Sequence, residues 1–305
     1  MTPHDSAQRI SGALWILSSA AAFGALAIFA RYAFAHGMTV PTLLFLRFAI
    51  AGAVMACYML VTRAHWPRGR VLATLLLMGG VGYVGQSWCY FTALQHASAG
   101  LTALLLYLYP VIVTLLMAAA GRLRLTRFRL IAVATAFFGT ALTIGGSVAG
   151  SPLGIALGLG AAFIYSIYII TGERATAAAG AIPAATVVML AAGVVNGGIA
   201  LAQGPVWPAS AQTWTIILAI ALLSTAFAVV GFFAGVRRIG AADGATLSTL
   251  EPVVTIALAA LLLGETIGPW QLAGGALILA AVIALVRGGR HHLLEPQANT
   301  PRSVA

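Results

Sequence analysis

Six acids, six histidines and two cysteines are the main stock of acid–base and metal-binding groups in this 305-residue chain. His4, His36, His65, His96, His291 and His292 fall in expected loops or tails, no HExxH occurs, and the acids are too dispersed to share a metal. No nucleophile stands beside a base, so intramembrane hydrolysis or group transfer has nothing to run on. One acid is unusual. Glu251 and Pro252 sit side by side inside LSTLEPVVTIALAALLLGET, Leu247 to Thr266. A carboxyl group there can bind a proton or meet a cation, provided that its surroundings are wet or supply a partner.

The chain is 61% hydrophobic and only 7% charged, against about 25% charged in a soluble domain. Its apolar residues come in blocks of about 20, the length that crosses a ~30 Å hydrocarbon layer. The pattern predicts an all-α polytopic membrane protein with helices over 10–34, 40–62, 70–94, 98–120, 128–148, 152–172, 183–203, 212–235, 242–264 and 268–287. The run over 12–30 is too long for a signal-peptide core and reads as the first span. Residues 288–305 read as a disordered cytoplasmic tail. Cys57 and Cys89 lie within spans and read as reduced, small hydrophobes.

All sixteen basic residues are arginine. They are scattered through short connections, which argues against nucleic acid as a partner. Fourteen fall in the tails or in the 2–3, 4–5, 6–7 and 8–9 connections, among them Arg63, Arg122, Arg174 and Arg237. The positive-inside rule puts that side, with both termini, in the cytoplasm of a bacterial-type inner membrane. The other two are Arg31, expected to snorkel from the outer end of the first helix, and Arg47. The latter lies ~10 Å into the second helix and either snorkels or faces an aqueous cavity.

The two halves resemble each other. FTALQHASAGLTALLLYLYP (Phe91 to Pro110) aligns with FAGVRRIGAADGATLSTLEP (Phe233 to Pro252) at an offset of 142, with the prolines in register. Five spans per half is an odd number, so the second repeat must be inverted in the membrane. The repeats are expected over 10–148 and 152–287.

Glu251 is about nine residues into its helix, ~14 Å from the start. An acid at that depth costs ~2.5–3.5 kcal/mol on insertion scales, so it should avoid lipid. Ser248, Glu251, Pro252 and Thr255 share one helix face, and Pro252 breaks the backbone ladder there. Tyr109 and Pro110 stand at the matching depth in the first repeat. The prolines mark either kinks or moving hinges, and Glu251 either faces a cavity or bonds a neighbouring helix structurally. Tyr83, Gln86 and Tyr90 form a stripe on the third helix, and Ser224 and Phe227 lie on the eighth. With Arg47, these twelve residues are the candidate lining of a central substrate cavity. Tyr165 and Tyr168 on the sixth helix, and Trp15, Ser18 and Ala22 on the first, are weaker candidates. Aromatic walls with few charges suit an amphipathic metabolite.

Three stretches carry a family resemblance: PTLLFLRFAIAG, YFTALQHASAGLTALLLYLYPV, and STLEPVVTIALAALLLGET with its Glu-Pro and Leu-Gly-Glu elements. The chain resembles the drug/metabolite transporter superfamily, EamA type, over nearly its whole length, and within it the YddG-type aromatic amino-acid exporters. That resemblance implies ten helices, cytoplasmic termini and export of amino acids and related metabolites. It also implies a central cavity near Tyr109, Pro110, Glu251 and Pro252. Small four-helix relatives couple to protons through a first-helix glutamate; the first span here has no acid, so that mechanism does not transfer by position. A monomeric secondary exporter working by alternating access is expected, with a small-molecule substrate, the lipid bilayer as its surroundings, no cofactor and no metal. The rival readings are an intramembrane enzyme and a passive pore. The lack of a P-loop and of a charged filter ring also informs the choice.

Overall fold

The computed structural model describes residues 3–123, 125–145 and 150–293. Ten helices among them are long and apolar enough to cross a membrane: Gln8–Ala35, Val40–Val61, Gly69–His96, Ala99–Ala119, Arg127–Ile144, Pro152–Ala179, Ala181–Gln203, Ala211–Ile239, Asp243–Leu263 and Pro269–Arg287. They are numbered helix 1 to helix 10 below. The chain is an all-α, ten-span protein, with no strand among the described residues. Helices 6 and 8 run past their expected ends, because nothing stops them before Gly180 and Gly240, each at φ above +80°. Arg174, Arg237 and Arg238 are thus on helix ends rather than in loops. The last helix continues to Leu293; the remainder of the expected tail, 294–305, lies outside the described residues, as do Arg124 and residues 146–149.

The packing is symmetric. Helix 2 pairs with 7, helix 4 with 9 and helix 5 with 10; helix 1 packs on 8 and 9, and helix 6 on 3 and 4. Replacing each helix by the one five places away returns the same set, which is the signature of two inverted five-helix repeats interleaved in one bundle. Small residues permit the closest approaches. A Cβ on Gly274 would fall 2.4 Å from the Gly139 carbonyl oxygen, where helix 10 meets helix 5.

Local breaks repeat as well. Helix 4 divides into Ala99–Leu106 and Tyr109–Ala119, and helix 9 into Ala241–Ser248 and Leu250–Leu263. Each break precedes the proline, which has no N–H to give to the carbonyl four residues back. Helices 3 and 8 carry matching π segments, Met78–Tyr83 and Ala219–Phe227, a widened turn that often accompanies functional sites.

The connections fix helix ends. Helix 4 starts with Ser98 accepting from the Leu101 N–H, while the Glu265 carboxylate accepts from the Ala99 and Gly100 N–H groups at 2.8 and 3.3 Å. The acid of Leu263-Gly264-Glu265 therefore ties the 9–10 connection onto the first repeat, at a helix N-terminus where negative charge is favoured.

Candidate functional site

Breaks and π segments converge on one region at mid-bundle. From the first repeat come Arg47, Phe48, Tyr83, Tyr90, Tyr107 and Tyr109. From the second come Tyr165, Tyr168, Ser224, Thr225 and Glu251.

Arg47 is only 3% exposed, which excludes snorkelling. Its Nε donates to Thr225 Oγ1 at 2.9 Å, bridging helix 2 to the π segment of helix 8. The guanidinium carbon lies 4.8 Å from the Phe48 ring centroid and 5.3 Å from that of Phe91, within cation–π range. Tyr83 and Tyr90 lie within electrostatic reach of it. No carboxylate among the described residues comes within ion-pair distance. Near the end of helix 1, the half-buried Arg31 donates to the Leu94 carbonyl at 2.7 Å, holding helix 1 to the end of helix 3.

A file of aromatic rings leads away from Arg47. Centroid separations are 5.2 Å for Phe48–Tyr83, 5.7 Å for Tyr83–Tyr168, 5.8 Å for Tyr168–Tyr165, 4.9 Å for Tyr165–Tyr109 and 6.0 Å for Tyr109–Tyr107, the spacing of favourable ring pairs. The file ends on Glu251, whose Oε2 lies 3.0 Å from the Tyr107 hydroxyl. The same hydroxyl is 2.5 Å from the Ser248 carbonyl, the acceptor that Pro252 deprives of its helical donor. Glu251 Oε1 has no hydrogen-bond partner among the described residues. Tyr90 lies within electrostatic reach of both Glu251 and Arg47.

Glu251, Tyr109, Tyr165, Tyr83, Tyr168, Pro110 and Ser248 are partly buried. Gln86, Tyr90, Ser224, Pro252 and Thr255 are buried. Gln86 accepts from the Ser87 hydroxyl. Thr255 donates to the Gly24 carbonyl at 2.9 Å, where helix 1 divides into Pro3–Gly24 and Leu26–Ala35. Ser224 Oγ is fully buried without a partner among the described residues. Phe227 is exposed and packs on Trp15 with centroids 6.1 Å apart. The sequence reading named eight of the eleven residues in this region and missed Phe48, Thr225 and Tyr107. A signal for Tyr107 existed, since the carbonyl freed by Pro252 needs a donor, and LYLYP holds a second tyrosine one turn before Pro110.

Interleaved inverted repeats around charged groups held at mid-depth are the architecture of secondary transporters. The comparisons agree. The EamA-like transporter family matches over residues 10–145 and again over 152–287, and the chain belongs to that family. An uncharacterized transporter, YcbK, of Bacillus subtilis is 27% identical over 281 residues, covering 87% of this chain and 89% of the relative. The threonine/homoserine exporter RhtA of Escherichia coli K12 is 29% identical over 253 residues, covering 81% of each. One solved crystal structure superposes with a TM-score of 0.65 at 22% identity, over 93% of this chain and 99% of the other; it speaks to the fold alone. The protein is a multi-pass membrane transporter.

Proposed function

We propose that the chain exports amino acids across the inner membrane by alternating access, with both termini cytoplasmic. The arginine distribution supports that orientation. The observation that carries the substrate reading is the pair of opposite ionisable groups, Arg47 and Glu251, held apart inside the bundle by a tyrosine wall. A buried cation without a counter-charge is costly, and a substrate carboxylate meeting Arg47 bidentately offsets that cost. The ammonium end then faces the free Glu251 oxygen and the tyrosine π faces. Tyr83, Tyr109 and Tyr165 line the space between, and their width sets which side chains pass. RhtA's named substrates, threonine and homoserine, favour small polar amino acids as the first class to try, ahead of the aromatic ones expected from the sequence. The family's character as transporters supports transport rather than catalysis.

Counterflow in proteoliposomes without ATP tests this. Labelled threonine should enter liposomes preloaded with threonine or homoserine, saturably, and threonine amide should compete poorly. Phenylalanine and tryptophan run in the same panel decide the aromatic branch. Arg47→Gln and Tyr109→Ala should depress exchange in protein that still elutes as a folded monodisperse species. Wild-type exchange by both variants, or equal competition by the amide, would overturn the site.

A further inference from the structure

The two ends of the bundle are not alike. At the arginine-poor end, the first half of helix 4, Ala99–Leu106, packs on the second half of helix 9, Leu250–Leu263. Every residue from Ala99 to Leu105 is buried there. The repeat counterpart at the arginine-rich end is the first half of helix 9, Ala241–Ser248, against the second half of helix 4, Tyr109–Ala119. Those two segments show no such packing among the described residues, and Asp243, Ala245, Thr246, Leu247 and Ser248 are only partly buried. In interleaved inverted repeats, a difference of this kind separates a closed end from an open one.

Ties between the repeats gather at the closed end. The Glu265 carboxylate accepts from the Ala99 and Gly100 N–H groups at 2.8 and 3.3 Å. The Tyr32 hydroxyl donates to the Leu262 carbonyl at 3.0 Å, and the Val206 N–H to Thr42 Oγ1 at 3.2 Å. At the other end Arg9 lies 4.0 Å from Asp243, with side chains 60% and 38% exposed, a pairing that contributes little.

We propose that this structure is the cytoplasm-open state of the carrier and that Glu265 is the clasp of its outer gate. The proposal rests on the orientation and alternating access given above. When inverted repeats exchange conformations, the first half of helix 4 takes the setting that the first half of helix 9 has here. The Ala99 and Gly100 N–H groups must then leave the carboxylate. Those bonds are charge-assisted and lie where the helix dipole favours an anion.

The other end has no equal clasp. Gly264 and Gly121 stand just past the ends of helices 9 and 4, with left-handed φ of 65° and 69°. Glu265 follows the one and Arg122 the other. A guanidinium only donates, so Arg122 cannot cap the N–H groups of helix 9. At most it meets Asp243 in the first turn of that helix, and an exposed pair adds little. A contact made in one of two states shifts the population toward that state. The clasp therefore weights the resting carrier toward the cytoplasm-open form, where an exporter loads its cargo.

Thiol labelling in nanodiscs tests the gate. It needs no substrate, and the reagent reaches both faces, so a failure here is separable from a failure of amino-acid export. In the full chain with Cys57 and Cys89 replaced by serine, a hydrophilic maleimide should modify Ala245→Cys readily. Its repeat counterpart Ala103→Cys, at a position 4% exposed, should react slowly. Glu265→Ala should raise the Ala103→Cys rate by about 2- to 30-fold, the span of a lost N-terminal cap, without raising the Ala245→Cys rate. Glu265→Gln keeps the shape and an acceptor oxygen but no charge, and should fall between. Tyr32→Phe removes a second outer tie and should act in the same direction, by about 2- to 10-fold. Equal rates at the two cysteines before any gate mutation, an Ala103→Cys rate indifferent to Glu265→Ala, or both rates rising together as in general loosening would each overturn the proposal.

Discussion

Thr225→Val isolates the tether that holds Arg47. The hydroxyl performs two tasks, accepting from Arg47 Nε at 2.9 Å and donating to the Ile220 carbonyl at 2.8 Å in the π segment. A hydrogen bond to a charged group contributes about 1.5–3 kcal/mol, and a neutral one about 0.5–1.5. Valine replaces the hydroxyl by a methyl group, whose burial returns about 0.8 kcal/mol. The net loss is then about 1–4 kcal/mol, in a residue that is fully buried. Thr225→Ser keeps the hydroxyl and removes the methyl, so the pair of variants separates the polar role from packing. In thermal unfolding in detergent, the valine protein should melt several degrees below the serine one. In counterflow, a guanidinium freed from helix 8 should bind carboxylate less tightly; a loss of about 1.4 kcal/mol would raise the half-saturating threonine concentration tenfold. Equal melting and equal half-saturation for the two variants would refute the argument, because they would show that Arg47 does not depend on Thr225.

Three further outcomes follow from the same geometry. A Cβ on Gly24 would lie 2.8 Å from the Glu251 carbonyl oxygen and 2.9 Å from Val254 Cβ, so Gly24→Ala should destabilise by about 1–3 kcal/mol through overpacking, despite alanine's better helix propensity; thermal melting checks the sign. Ser224→Ala removes a buried hydroxyl that lacks a partner among the described residues and should leave stability unchanged or raise it by about 1 kcal/mol, whereas a lowered melting point would reveal a bound water or ligand. Glu265→Ala removes the acceptor for the first two N–H groups of helix 4 and should cost about 0.5–2 kcal/mol, with faster amide hydrogen exchange at Ala99 and Gly100 as its local readout.

The spans were legible because lipid imposes length and composition on every helix at once. The boundaries differ most at helices 6 and 8, where arginine was read as loop although the backbone keeps turning until a glycine takes a positive φ. The repeat was legible from the paired prolines, since backbone breaks survive when side chains drift. The π segments were not, because an extra residue in a turn leaves no mark on hydropathy. Arg47 and Glu251 drew notice as charges in apolar runs. What joins them was hidden: the ring file passes from helix 2 through helices 3 and 6 to helix 4, and periodicity along one helix says nothing of order across several. Tyr107 escaped for the related reason that its partners, Ser248 and Glu251, are more than 140 residues away.

The interleaving of the repeats bears on how the chain is made. Helix 3 finds helix 6 soon after both are synthesised, but the face of helix 1 that packs on helix 8 waits for about 200 more residues to emerge, Gly12 facing Gly235 and Arg238. At ribosomal speeds of about 5–20 residues per second, that is roughly 10–40 s. For that interval the first five helices sit in the bilayer as an unfinished half, with their tight glycine seams open to lipid or to insertion chaperones. Truncations after the fifth helix should therefore be cleared by membrane proteases, and the two halves expressed as separate chains should protect one another.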